Sequence, residues 1–273
     1  MEARVQRRVQ RYGWDLASRD YEALWQAQSA PARDALFAWA GLQAGEAVLD
    51  VACGTGLVAL PAAAAVGPRG RVCGVDIAGR MVEQARAGAA ARGLGHATFE
   101  RMDAESLAVP DATFDVAFCA LGLMYVPDPC AALREMRRVV RPGGRVLLAV
   151  WGPRARCGWA AVFGIVAIEV TSDVCPLFFG LGEPGALARD CEAAGLEVRR
   201  EATIATTLRY ADADQASTAA FVGGPVALAW SRFDDETRVR AAAAYAASIA
   251  GWRDGDGYAL PGEFVVVEAA RPR

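Results

Sequence analysis

The sequence predicts an α/β fold: a doubly wound, mostly parallel seven-stranded sheet with an N-terminal helical lid and helical cap insertions. Three observations predict it. Short β-branched and apolar runs at 48–51, 71–76, 96–101, 114–119 and 145–151 alternate with helix-patterned stretches at close spacing. Acids stand at or just beyond the ends of three of these runs: Asp50, Asp76 and Asp103. The first run leads into Gly54-Thr-Gly56, where two glycines let the backbone turn and approach a ligand without a Cβ in the way. In such sheets ligands lie at the carboxyl ends of the strands.

Composition sets the bounds. The chain has 273 residues, of which 54% are hydrophobic and 22% charged, enough to bury a sizeable core. A net charge of -3 leaves no electrostatic footprint for nucleic acid. The chain has 29 arginines, one histidine and no lysine, so Schiff-base catalysis, a P-loop lysine and a Tyr-x-x-x-Lys hydride-transfer site are excluded. Seven scattered cysteines with no C-x-x-C spacing point to a reducing, cytoplasmic compartment and to no metal site. Cys119, Cys157 and Cys175 are the soft ligands to weigh for a metalloid such as arsenite, a reading the sequence does not favour. No apolar run reaches the ~20 residues that a membrane span needs. Arg4, Arg7, Arg8 and Arg11 are interleaved with acids at Glu2, Asp15 and Asp20, which reads as a solvated helix face and not a targeting segment.

In chain order, residues 1–40 predict two or three helices, interrupted at Ser29-Ala-Pro31 and carrying an aromatic stripe suited to a lid. The core, 41–151, runs from the first strand through a helix at 57–66 and a strand ending at Asp76. A helix over 81–90, a strand at 96–101 and one at 114–119 follow. A helix at 130–140 then leads through a tight turn at Arg141-Pro-Gly-Gly144 into the fifth strand. Residues 152–262 predict cap insertions with a sixth strand at 196–208, irregular at first and then helical at 185–194, 212–221 and 235–249. The final strand, at 264–269, and the tail occupy 263–273.

Gly54-x-Gly56-x-x-Ala59 with Asp76 about twenty residues on also satisfies a dinucleotide fingerprint, so a nicotinamide oxidoreductase is the first alternative. Asp50, at the loop entry, would repel a pyrophosphate and attract a cationic amino acid. Asp103 supplies a carboxylate able to accept from an exocyclic amine. Four motifs carry a resemblance: Val48-Leu-Asp-Val-Ala-Cys-Gly-Thr-Gly56, Gly74-Val-Asp76, Met102-Asp-Ala-Glu-x-Leu-x-x-Pro-Asp-x-x-Phe-Asp115 and Leu133-Arg-Glu-Met-x-Arg-Val-x-Arg-Pro-Gly-Gly144. Together, over about 45–151, the chain resembles class I S-adenosylmethionine-dependent methyltransferases, most of all the ubiquinone/menaquinone C-methyltransferase-like small-molecule branch.

The resemblance implies S-adenosyl-L-methionine as cofactor and S-adenosyl-L-homocysteine as product. Asp50 with the backbone of Ala52, Cys53, Gly54 and Gly56 would hold the amino acid part; the family usually has glycine where Ala52 stands. Asp76 would take the ribose hydroxyls, and Ile77 and Met81 would sandwich the adenine. Asp103 and the Ala104 backbone would read the adenine edge, and Cys119, Ala120 and Leu121 would border the sulfonium.

Methyl transfer needs alignment and water exclusion more than a base, and the sequence identifies no catalytic residue. Tyr21, Tyr125, Trp151 and Arg154 are the expected acceptor contacts, with Arg156, Glu169, Asp173 and Glu183 as further rim groups. His96 stands at the entry of the third strand, away from the site. The fourth strand is followed by Cys119-Ala-Leu-Gly122, not the Asn/Asp-Pro-Pro-Tyr of nucleic-acid amine methyltransferases. The expected partner is therefore a small, apolar or aromatic acceptor, with no nucleic acid or membrane span, in a monomer or homodimer. A non-catalytic S-adenosylmethionine-binding module is the second alternative.

Overall fold

The computed structural model describes residues 2–170 and 178–273. Helices α1 (Ala3–Trp25) and α2 (Ala30–Ala40) come first, then β1 (Ala47–Val51), α3 (Ala59–Val66), β2 (Arg71–Asp76), α4 (Gly79–Ala91) and β3 (Ala97–Arg101). The chain continues through β4 (Phe114–Ala120), α5 (Pro129–Val139) and β5 (Val140–Trp151). Then come α6 (Ala161–Glu169), α7 (Ala186–Ala193), β6 (Glu197–Tyr210), α8 (Ala213–Phe221), α9 (Ala227–Trp230) and α10 (Asp235–Ile249). The short β7 (Arg253–Asp254) and the long β8 (Gly257–Ala270) complete it.

The strands lie in the order β3-β2-β1-β4-β5-β8-β6, with β7 paired to β8 outside that path. The first five are mutually parallel, whereas β8 runs antiparallel to β5 and to β6. This is the expected seven-stranded sheet plus one two-residue strand. Every residue of β1 is buried, as a central parallel strand requires. The alanine-rich α3 packs on β1 and β2, α4 on β2 and β3, and α2 on β4, β5 and β8. Strand order reverses between β1 and β4, so their carboxyl ends open the crevice that such sheets use for ligands.

Three elements differ from expectation, each for a local reason. Residues 141–144 do not break the chain. They form an irregularity in β5, whose pairing passes from Phe114↔Val140 to Val116↔Arg145. Strand β8 begins seven residues before the expected 264 and runs through Pro261. That stretch pairs with β6 and, at Gly257 and Tyr258, with β7, but β5 reaches no further than Trp151↔Phe264, so at Pro261 one edge is open and the missing N–H costs no ladder bond there. The irregular stretch after 152 contains α6, whose AVFGIVAIE sequence has too few polar residues to reveal a helical period. The N-terminal segment is two helices, within the expected two or three, and Pro31 sits in the first turn of α2, where its missing N–H has no helical partner to lose.

Candidate active site

Three adjoining cavities open at the carboxyl ends of β1–β4, beneath α1. The largest, about 750 Å³, runs between the loops after these strands and the lid. A second, about 360 Å³, surrounds Asp50 and Cys53 at the glycine loop. A third, also about 360 Å³, is walled mainly by aromatic side chains of the lid and cap. Tyr21 and Leu121 line all three, so they mark the junction.

The acids at the three strands are in different electrostatic states. Asp50 is 1% exposed, and its Oδ2 has no hydrogen-bond partner among the described residues. Burial pushes its carboxyl up to about 8, against the pull of one backbone N–H from Ala59. Asp76 accepts the backbone N–H groups of Gly54 and Ala78, each at 2.8 Å. Burial still raises it to about 6. Each of its oxygens retains a lone pair for a further donor. Asp103 is 31% exposed in its side chain and pairs with Arg7 at 2.8 Å. The same guanidinium reaches Glu105 at 2.7 Å.

Backbone shape completes the loop. Ala52 (φ 56) and Leu121 (φ 60) both adopt the left-handed conformation that disfavours a side chain. The two loops are closely packed: a Cβ added to Gly122 would lie 2.3 Å from the Ala52 methyl. The methyl in place of the usual glycine is therefore accommodated by an absent side chain on the neighbouring loop.

Of the sequence-predicted residues, Ala52, Gly54, Asp76, Ile77, Met81, Asp103, Ala104, Ala120 and Leu121 line the main cleft, while Asp50 and Cys53 line the loop cavity. Gly56 lines none of the three. With φ 94, it turns toward the helices, where an added Cβ would meet Leu60 at 3.0 Å and Ala85 at 3.5 Å. Cys119 is likewise absent from the cavity walls; it is buried inside β4, and desolvation lifts its thiol to about 12. Tyr21, Tyr125 and Trp151 line the aromatic cavity. Arg154 does not, because it stands exposed on the turn before α6.

The further rim groups do not converge either. Arg156 and Glu183 are exposed, and Glu169 pairs with Arg240 at 3.3 Å. Asp173 and Cys175 lie outside the described residues. Cys157 is buried, its thiol raised by desolvation to about 12. His96 contacts the Ala63 carbonyl at 2.8 Å, far from the cleft.

Sequence reasoning missed the contributions of the lid. Arg33 enters the Asp50 cavity from α2, bonded to the Leu57 and Gln26 carbonyls, with its Nε buried and unpartnered among the described residues. Arg7, read as part of a solvated face, instead lines the main cleft between Asp103 and Glu105. Trp14 and Trp25 wall the aromatic cavity. The signal was present only in the aromatic stripe, because an arginine on a helix has no marking that separates a cleft from solvent.

Residues 48–144 match the methyltransferase-domain family. This stretch carries the sequence pattern of a methyltransferase domain. Over 167 residues, 56% of this chain and 60% of the relative, the sequence is 38% identical to nocamycin O-methyltransferase from Saccharothrix syringae. It is 42% identical over 120 residues, 44% of this chain and 50% of the relative, to the ubiquinone/menaquinone biosynthesis C-methyltransferase UbiE from Bdellovibrio bacteriovorus. The chain thus spans between 50% and 60% of the length of these relatives. A methyltransferase-like structure from Bacillus halodurans shares the fold, with a TM-score of 0.64 over 89% of this chain and 100% of that one at 21% identity.

The joined cavities are chemically divided. A buried carboxylate and guanidinium share one end, a half-satisfied carboxylate stands in the middle, and apolar walls at Ile77 and Met81 lie beyond. That set suits a zwitterionic amino acid joined to a nucleoside. A pyrophosphate on the same glycine loop would stand against the unpartnered Asp50 carboxylate.

Proposed function

We propose that this chain binds S-adenosyl-L-methionine and transfers its methyl group to a small acceptor, releasing S-adenosyl-L-homocysteine. The observation that carries this reading is the buried, unpartnered Asp50 oxygen in one cavity with the unpartnered Arg33 Nε. An ammonium and a carboxylate from a single ligand would satisfy both. Asp76 would accept the ribose hydroxyls, Ile77 and Met81 would hold the adenine, and Asp103 with the Ala104 backbone would read its edge. Ala120 and Leu121 would border the sulfonium.

In-line transfer forms a bond from the acceptor's lone pair to the methyl carbon while the carbon–sulfur pair returns to sulfur, so charge is neutralised as the reaction proceeds. The chain's residues contribute alignment and water exclusion. Tyr21, at the junction of all three cavities, has its hydroxyl raised to about 12, chiefly by burial, so it remains a donor that can orient an acceptor atom. On this reading residues 1–40 act as a lid on the core at 41–151, and 152–262 cap the acceptor side of the same domain. The acceptor is a small apolar or aromatic molecule and not a nucleic acid, consistent with the net charge of -3. The enzyme works as a cytoplasmic monomer or homodimer; no helix among the described residues is long and apolar enough to cross a membrane.

Separate titrations with S-adenosylhomocysteine and NAD test the cofactor. Saturable binding of the first and none of the second is expected, and Asp76→Ala should weaken it by at least ~1.5 kcal/mol, about tenfold. Tighter binding of NAD would overturn the reading. Transfer of labelled methyl groups to an acceptor library separates an enzyme from a silent binding module.

A further inference from the structure

Two tryptophans that line the aromatic cavity carry buried indole donors that no described residue satisfies. Trp25 and Trp159 both line it and are 7% and 2% exposed, and neither indole Nε1 has a hydrogen-bond partner among the described residues. Buried indole N–H groups ordinarily find an acceptor, because leaving one unpaired costs ~1–3 kcal/mol. Two such donors in the wall of one cavity form a pattern that packing does not explain.

Their positions fit a recognition edge. The rings of Trp25, Trp151 and Trp159 meet edge to face, with centroids 5.1–6.1 Å apart, which leaves their orientations fixed by one another. Trp25 presents its N–H to the turn at Gly223. A Cβ added there would lie 3.2 Å from Nε1, and the next two residues, Gly224 and Pro225, line the same cavity. Trp159 is held from its other sides by Phe163, Phe178 and Phe179. The remaining polar lining includes the Ser29 hydroxyl, which already donates to the Trp25 carbonyl at 2.7 Å. Apolar faces with two free donors select a flat molecule that carries oxygen acceptors and few donors of its own.

We infer that Trp25 and Trp159 form the specificity edge of the acceptor site, where their indole N–H groups bind carbonyl-type oxygens on a planar, apolar ring system. The inference rests on the methyl-transfer reading only for calling this cavity the acceptor side. The donors would orient the ring so that its reacting atom lies toward Tyr21 and Leu121, where this cavity meets the cofactor cleft.

Xanthone and its carbonyl-free counterpart xanthene serve as probes, each titrated into full-length protein saturated with S-adenosylhomocysteine. The protein should bind xanthone about tenfold more tightly. Trp25→Phe and Trp159→Phe keep a ring and remove the N–H. Each should reduce that preference several-fold while leaving S-adenosylhomocysteine affinity within twofold of wild type, and the double variant should abolish it. As a second readout, the indole ¹H–¹⁵N resonances missing from these variants should be the ones that move downfield when xanthone binds. Equal binding of the two probes, no binding of either, or unchanged preference in both variants would overturn the inference. Failure of S-adenosylhomocysteine to bind wild-type protein would instead strike the cofactor reading itself.

Discussion

The two ends of the joined cavities hold a carboxylate in opposite ways. Asp50, at the glycine-loop end, is sealed from water and has an oxygen with no partner among the described residues, whereas Asp103, at the far end, is 31% exposed in its side chain and already paired with Arg7. The first is a carboxyl that burial keeps protonated near neutral pH until a cation arrives; the second is satisfied by Arg7 of α1. Binding energy is therefore expected to concentrate at Asp50, with Asp103 acting mainly in positioning.

Asp50→Asn is the strongest test of that contrast. It should weaken S-adenosylhomocysteine binding by ~3 kcal/mol, about 100-fold, measured by calorimetry. The same variant should melt higher than wild type at pH 9 without ligand, since it no longer buries a charge. Opposite signs for affinity and stability are the signature of a binding carboxylate, and a loss of both would make Asp50 structural.

Proton linkage gives the next largest effect. A carboxyl raised to about 8 in the folded chain favours folding while protonated. That stability is complete below the ordinary carboxylate range and is lost as pH rises through about 8. On the proposed reading cofactor binding runs the other way, because the ammonium would need the ionised form. Affinity should fall by up to ~tenfold per unit as pH drops from about 8 to about 6, with a proton released on binding. Calorimetry in buffers of different ionisation enthalpy would detect that proton. Its absence would mean that Asp50 is ionised before the ligand arrives.

The loop between the two ends supplies a smaller effect. Gly122→Ala should cost ~1–2 kcal/mol in chemical denaturation, because its methyl would meet that of Ala52, and Ala52→Gly should recover most of the loss. Additive effects in that double-mutant cycle would refute the contact. Smallest of all, Arg7→Ala should weaken S-adenosylhomocysteine binding only a few-fold, ~1 kcal/mol or less, since the ion pair is partly solvated. A loss as large as that of Asp50→Asn would erase the contrast.

The legible part of this molecule is the part written in short-range pattern. Val48 to Val51, Gly54, Asp76 and Asp103 announce strand, turn and strand end within a few residues of each other, and the structure brings the three acids to the ends of adjacent strands. Arg33 was not legible, because its value depends on α2 lying against β4 and β5, which no local spacing encodes. Gly56 misled in the other direction, since a glycine spaced for a ligand loop serves helix packing here. Trp25 and Trp159 could be read only as apolar bulk, because an unpaired indole N–H becomes apparent only when its neighbours are known.

The lid adds a kinetic consequence. Helix α1 is one unbroken rod of 23 residues, ~34 Å long, and it carries Arg7 over the main cleft, Trp14 and Tyr21 over the junction, and Trp25 over the aromatic cavity. Asp15, midway along it, accepts the Arg80 backbone N–H at 2.9 Å at the start of α4. A rod pinned at both ends and the middle cannot uncover one compartment alone. Entry of the acceptor and exchange of the spent nucleoside would then share a single gate and a single opening rate.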